Sequence, residues 1–166
     1  TGGTTGGTGG TTGGTGGTCQ ITAALSAALP ERFTWQSFGS NVNTGSGIAC
    51  AKCTSTPCGD IPVTWGQPVQ SDASTILVPV QTATVCVPGL YGACPPTAGC
   101  TLCMTSTSGL IVTLKIAPSG DGYVVQSATV GGSWVPSGCS YATADAATTS
   151  ANSSLVQALT GLRIAC

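Results

Sequence analysis

The order of apolar and polar positions predicts β-strands through the middle of the chain. From residue 61 to residue 130, short runs rich in Val, Ile and Thr are separated by clusters of turn-forming residues, as strands are separated by turns. The sequence PSGDG lies between the last two runs and is typical of a hairpin turn. The predicted strands are 61–65, 74–87, 109–117 and 122–130. We therefore expect a mainly β domain.

Helical segments are predicted on either side of this β region. Good helix formers run from Ile21 to Leu29 and end at Pro30, which cannot continue a helix. A second helix is predicted near 152–159, ended by Gly161 and followed by a closing strand. The chain has one or two short helices in this interpretation.

Two stretches predict irregular structure. Residues 39–60 are rich in Cys and turn formers, which indicates a disulfide-stapled loop region. Pro79 interrupts the longest β run and has no N–H to donate to a neighbouring strand. We therefore expect its strand to lie at a sheet edge or to be bulged there.

The first eighteen residues contain only Thr and Gly, in the repeat TGGTTGG. In a strand the threonines would fall on both faces without order, whereas in a three-residue left-handed screw they form a slowly rotating ridge. Such a rod would be about 55 Å long at about 3.1 Å per residue, and its glycines make it too costly to order alone. The threonines are Thr1, Thr4, Thr5, Thr8, Thr11, Thr12, Thr15 and Thr18.

This Thr/Gly arm is expected to dock on another molecule. A domain of this size has a radius of gyration of only about 15 Å, so a neighbouring subunit is a better support for the arm than its own domain. The predicted division is an assembly arm at 1–18 and one domain at 19–166.

Charge is scarce along the whole chain. Four Lys or Arg, five Asp or Glu and no His give a net charge of -1. Weakly charged surfaces tend to associate, so we expect the surface to be hidden by assembly or covered by sugar. The basic residues form no cluster in the sequence, so binding to nucleic acid or to anionic membranes is not expected. No apolar run is long enough to predict a transmembrane span, and no signal peptide is evident, so the chain is expected to be a processed product.

Ten cysteines in a short, weakly charged chain indicate disulfides formed outside the cytoplasm. We expect an extracellular or cell-surface protein whose fold is a small disulfide-rich β-sandwich or barrel-like domain. Two C-x-x-C pairs, at 50–53 and 100–103, also have the spacing of zinc knuckles or redox dithiols. Structural disulfides are favoured, so no metal or cofactor is predicted. The cysteines are Cys19, Cys50, Cys53, Cys58, Cys86, Cys94, Cys100, Cys103, Cys139 and Cys166.

No catalytic site is predicted. Without His, a Ser or Cys nucleophile lacks its usual base, which leaves only Lys52, Lys115 and a few carboxylates. The carboxylates are scattered along the sequence and do not form an evident glycosidase pair. They are Glu31, Asp60, Asp72, Asp121 and Asp145. We do not expect the protein to be an enzyme.

The aromatic residues have two interpretations. They could stack on sugar rings in a carbohydrate-binding module, or they could be large core residues of a domain poor in aromatics, which we favour. They are Trp35, Trp65, Trp134, Tyr91, Tyr123 and Tyr141.

Hydroxyl-rich segments predict glycosylation. Asn152-Ser153-Ser154 is an N-glycosylation sequon, and the arm threonines and the Ser/Thr clusters at 54–56, 105–108 and 148–154 are candidate O-glycan acceptors. The composition resembles that of secreted fibril and cell-surface glycoproteins, which implies a structural, self-associating role. The Gly-rich screw is also similar to that of some antifreeze proteins, although a rotating ridge lacks a flat Thr face. The sequence therefore predicts a glycosylated subunit of an extracellular filament, with carbohydrate binding as the alternative and ice binding as a further one.

Overall fold

A computed structural model describes residues 19–36, 39–43, 48–52, 59–91, 98–106, 109–138 and 144–166 of the chain. Within these ranges the chain forms two helices and eleven strands. In chain order they are α1 (Ile21–Ala28), β1 (Arg32–Trp35), β2 (Gly39–Asn43), β3 (Ile48–Lys52), β4 (Gly59–Trp65), β5 (Val69–Asp72), β6 (Thr75–Tyr91), β7 (Ala98–Ser106), β8 (Leu110–Ser119), β9 (Gly122–Gly131), β10 (Val135–Gly138), α2 (Ala144–Leu159) and β11 (Arg163–Ile164). The predicted mainly β fold with two helices is confirmed.

All eleven strands belong to one sheet, which is curved into a half-barrel. Its main path is β1-β4-β6-β8-β9-β11, and the strand pairs along this path are antiparallel. The long strand β6 is the spine of this sheet. Along one side it pairs in succession with β5, β4 and β3, and along the other with β8 and then β7.

The inner face of the sheet carries the core. From Ile76 to Val80 in β6, and along β8, alternate residues are buried, as the two-residue period of a strand requires. Helices α1 and α2 supply the facing apolar side chains, chiefly Leu25, Leu155 and Leu159. The buried strand residues include Ile76, Val78, Val80, Leu110, Val112 and Leu114. Because these side chains point inward, the residues between them form the outer face.

Helix α2 is fixed to the sheet by two tryptophans. The Trp35 indole N–H donates to Ser150 Oγ at 2.9 Å, and the Trp134 indole N–H donates to Asn152 Oδ1 at 2.9 Å. Both rings are buried, so each places its large apolar surface in the core while its one polar group is satisfied. The core interpretation of these two aromatic residues is confirmed.

Three sequence expectations need correction. The region 39–60, expected to be a stapled loop, contains the β2–β3 hairpin and the start of β4. The second helix begins at Ala144, well before residue 152. The edge position expected for Pro79 is wrong, since β6 lies inside the sheet.

Pro79 is tolerated in this central strand because its hydrogen-bonding side faces a break in pairing. Its carbonyl accepts from the Gly66 N–H at 2.8 Å, in the connection between β4 and β5. The β4 register also shifts between Thr64 and Trp65, beside this point. The missing N–H of proline therefore costs no regular ladder bond, and the expected irregularity is found in the neighbouring strand.

Candidate functional site

The Thr/Gly arm joins the domain at a covalently fixed point. Cys19, which directly follows the arm, forms a disulfide with Cys166, and their Cα atoms are 5.2 Å apart. Cys19 is half-buried and packs against the core, beside α1. The arm therefore leaves a root that cannot separate from the domain while the bond is intact. The arm itself lies outside the described residues.

An apolar patch lies on the outer face of the sheet. Val69 of β5 is the register partner of Leu77 in β6, and Pro79 of β6 is the partner of Ile111 in β8. Register partners share a face, as do residues two apart on a strand. The four side chains Val69, Leu77, Pro79 and Ile111 therefore form one surface, which we call the outer-face patch. Val69 is 57% exposed and Ile111 is 40% exposed, so solvent reaches its apolar groups.

Polar groups mark one end of this patch. Thr113 of β8 is the register partner of Leu77, and Lys115 lies two residues further along β8. The Lys115 Nζ donates to Thr75 Oγ1 at 2.6 Å. The Asp72 carboxylate accepts from the Ser74 N–H at 2.9 Å and from the Ser74 hydroxyl at 3.2 Å. The backbone hydrogen bond from Ser74, then the Thr75 hydroxyl, lower the pKa of Asp72 below its ordinary value. Charge is therefore held at the turn between β5 and β6, and the patch itself carries none.

Strand β5, which contributes Val69 to the patch, has a free edge. It pairs with β6 along one side, and no strand pairs with its other side in the part of the chain that the structure describes. All four of its residues are exposed. The unpaired N–H and C=O groups of such an edge can accept a further strand. An apolar surface beside an open strand edge is a suitable place for an extended peptide to dock.

A second surface is the groove beside Trp65. It has a volume of about 400 Å³, and its lining includes the polar residues Ser26, Glu31, Thr64 and Gln67, the aromatic Trp65, and the apolar residues Ala27, Leu29 and Val63. The Trp65 N–H donates to the Pro30 carbonyl at 2.7 Å, which fixes the orientation of the half-buried ring. Hydroxyl, carboxylate and amide groups around an aromatic ring are the groups that recognise sugars.

The other predicted site residues are dispersed. Asn152 of the sequon lies on α2, and its Oδ1 accepts the hydrogen bond from the Trp134 indole N–H. Glycosylation of Asn152 stays a prediction. Thr1 to Thr18, the side chains of Tyr91, Tyr141 and Asp145, and the side chains of the other eight cysteines lie outside the described residues. Within the described ranges, no group of three or more His, Cys, Asp or Glu side chains could hold a metal ion.

Sequence reasoning missed the patch, and of the groove it named only Trp65 as a residue that could stack on sugar rings. One signal was available for the patch: β8 alternates buried and outward positions, and Ile111 is an apolar residue at an outward position. The rest of the groove has no such signal, because its lining comes from α1, from β4 and from the residues that follow each of them, which are far apart in the sequence.

Neither helix in the described part of the chain is long and apolar enough to cross a membrane. No protein-family model, curated protein sequence or solved structure matches the chain.

Proposed function

We propose that this protein is a structural subunit of an extracellular filament, in which the Thr/Gly arm of one copy docks on the domain of the next. The observation that carries the proposal is the outer-face patch beside the free edge of β5. Exposed apolar surface that adjoins an unpaired strand edge is normally covered or protected in a protein that stays monomeric.

The arm is chemically suited to this acceptor. Its glycines carry no side chains, so its backbone can approach an edge strand closely, and backbone hydrogen bonds then supply affinity as in β-augmentation. Its threonine methyl groups would contact Val69 where the arm runs along β5, and Ile111 where the arm continues across the outer face. Its reach of about 55 Å when extended is sufficient to leave its own domain and meet another.

Fixed attachment and low charge favour a polymer. Because the arm root is tied down by Cys19–Cys166, each docked arm would place its domain relative to the next. A contact between two different surfaces, arm and patch, repeats without closing and makes a filament unless the rotation forms a ring. Only nine charged residues oppose such stacking. Sugars on the threonines left at the surface would keep the filament in solution.

Deleting residues 1–18 is expected to abolish polymerisation and to leave a folded monomer, because the deletion removes the donor and none of the core. Negative-stain microscopy and sedimentation velocity measure assembly, and circular dichroism measures folding. Long fibres from the truncated protein would contradict the proposal.

The acceptor is tested in the same assay by Ile111→Lys, which places a charge within the patch. Ser127→Lys is the matched control, because Ser127 is an exposed residue on the same face of the sheet, opposite Lys115. We expect the Ile111 variant to remain monomeric while the Ser127 variant polymerises. Equal polymerisation of both variants would place the acceptor elsewhere.

The Trp65 groove supports a second candidate function, carbohydrate binding. Trp65→Ala is expected to lower retention on immobilised glycans or cellulose by about tenfold or more, since a stacked indole contributes more than the 1.4 kcal/mol that a tenfold change represents. Gln67→Ala changes an exposed lining residue without touching the core and should weaken retention with the fold intact. Absence of retention by the unmodified protein across a broad glycan array would remove this candidate.

A further inference from the structure

Strands β6 and β7 bring two cysteines to the same register position. The two strands pair antiparallel over nine positions, and Cys86 is the direct partner of Cys103. The neighbouring pairs, Val85 with Met104 and Val87 with Leu102, follow without a register shift. The juxtaposition therefore belongs to a regular part of the sheet.

The backbone geometry of this pair fits a disulfide. Direct partners on an antiparallel pair have Cα atoms about 4.5 Å or about 5.5 Å apart, according to their hydrogen-bonding position. Disulfides span Cα separations of about 4.4 to 6.8 Å. Both alternatives therefore lie within the range that a disulfide bridges without moving the backbone.

The same register excludes the bond that sequence spacing suggests. Cys100 and Cys103 both lie on the extended strand β7. At about 3.4 Å per residue their Cα atoms are about 10 Å apart, and their odd separation places them on opposite faces of the sheet. This C-x-x-C pair cannot close a disulfide on itself or present both thiolates to one zinc ion.

A third cysteine is excluded as a partner in the same way. Cys50 of β3 pairs with Leu90 of β6, on the side of β6 opposite β7. It is therefore two strand spacings, about 9.5 Å, from β7, and four residues along β6 from Cys86. Among the cysteines on described strands, Cys86 and Cys103 are the only two that can reach each other.

We propose that Cys86 and Cys103 form a cross-strand disulfide, and that Cys100 pairs with a cysteine outside β7. In forming the bond, the two thiols lose two protons and two electrons, and an oxidised thiol–disulfide oxidoreductase accepts them to become a dithiol. The bond links β6 to β7 beyond Leu110, the first residue of β8, where β7 takes the place of β8 alongside β6.

Mass-spectrometric mapping of the unreduced full chain tests the proposal, after free thiols are blocked at acidic pH. Cleavage after Tyr91 separates Cys86 from Cys103, cleavage after Leu102 separates Cys100 from Cys103, and cyanogen bromide cuts after Met104, the single methionine. We expect one linked species that joins the Cys86 peptide to the Cys103 peptide. Cys86 linked to any other cysteine, or recovered with the blocking group, would overturn the proposal.

Variants supply an independent readout. Cys86→Ser is expected to release one thiol, and that thiol should map to Cys103. The double variant Cys86→Ser/Cys103→Ser should release none. A thiol released at a different position, or one released by the double variant, would also overturn the assignment.

Discussion

Replacing Cys19 and Cys166 with serine is expected to lower the free energy of unfolding by about 2 to 5 kcal/mol. The bond joins residues 147 apart in sequence, so it closes a loop that contains the whole described domain. The chain-entropy argument places a loop of this length at the upper end of the range, because a longer closed loop restricts the unfolded chain more. Urea denaturation of the double variant and of the unmodified protein measures the difference.

The single variants separate the crosslink from the packing of the thiols. Cys19→Ser and Cys166→Ser each break the same bond, so each should lose nearly as much stability as the double variant. Additive losses would mean that the two sulfur atoms stabilise the domain through separate contacts. A loss below about 0.5 kcal/mol, the usual range for surface substitutions, would contradict a stabilising role for the bond.

The elements that the sequence predicts correctly are those that need only local rules. Helix α1 ends where Pro30 forbids its continuation, one residue before the predicted limit. Strand β8 has a clear period of two, and it is joined to β9 at the predicted turn, between Ser119 and Gly122. In these segments the local propensity agrees with the final packing, so the prediction requires no tertiary information.

The elements that were missed depend on their partners. Strand β1 is only four residues long and is defined by its pairing with β4, where Phe33 lies opposite Ile61. Strand β5 contains Gln70, Ser71 and Asp72, which have low strand propensity, and it forms because β6 offers an adjacent edge. The strands β2 and β3 have a turn-like composition and are likewise defined by their pairing with each other. Short strands with weak propensity cannot be predicted before their register is known.

The candidate assembly surface shows the same dependence. Ile111 meets Pro79, and Leu77 meets Val69, only in the observed registers of β6 with β8 and with β5. A shift of one residue would turn these side chains to the opposite face. The sequence predicts that the arm needs an acceptor, but the acceptor becomes visible only when four residues from three strands are brought together.

Gly132→Ala is expected to destabilise the domain by about 3 kcal/mol or more, the sum of backbone strain and overpacking. Gly132 has a φ of +101°, which side chains rarely allow, and an added Cβ would lie 2.2 Å from the Gly109 carbonyl oxygen. That oxygen cannot move away easily, because the next residue is Leu110, which is fully buried at the start of β8.

Gly161→Ala is the matched control: its φ is +86°, but no atom lies within 4 Å of the added Cβ, so only the strain of about 1 to 2 kcal/mol applies. Chemical denaturation midpoints measure both, and equal losses would show that the close approach of Gly132 to Gly109 is not what requires glycine there.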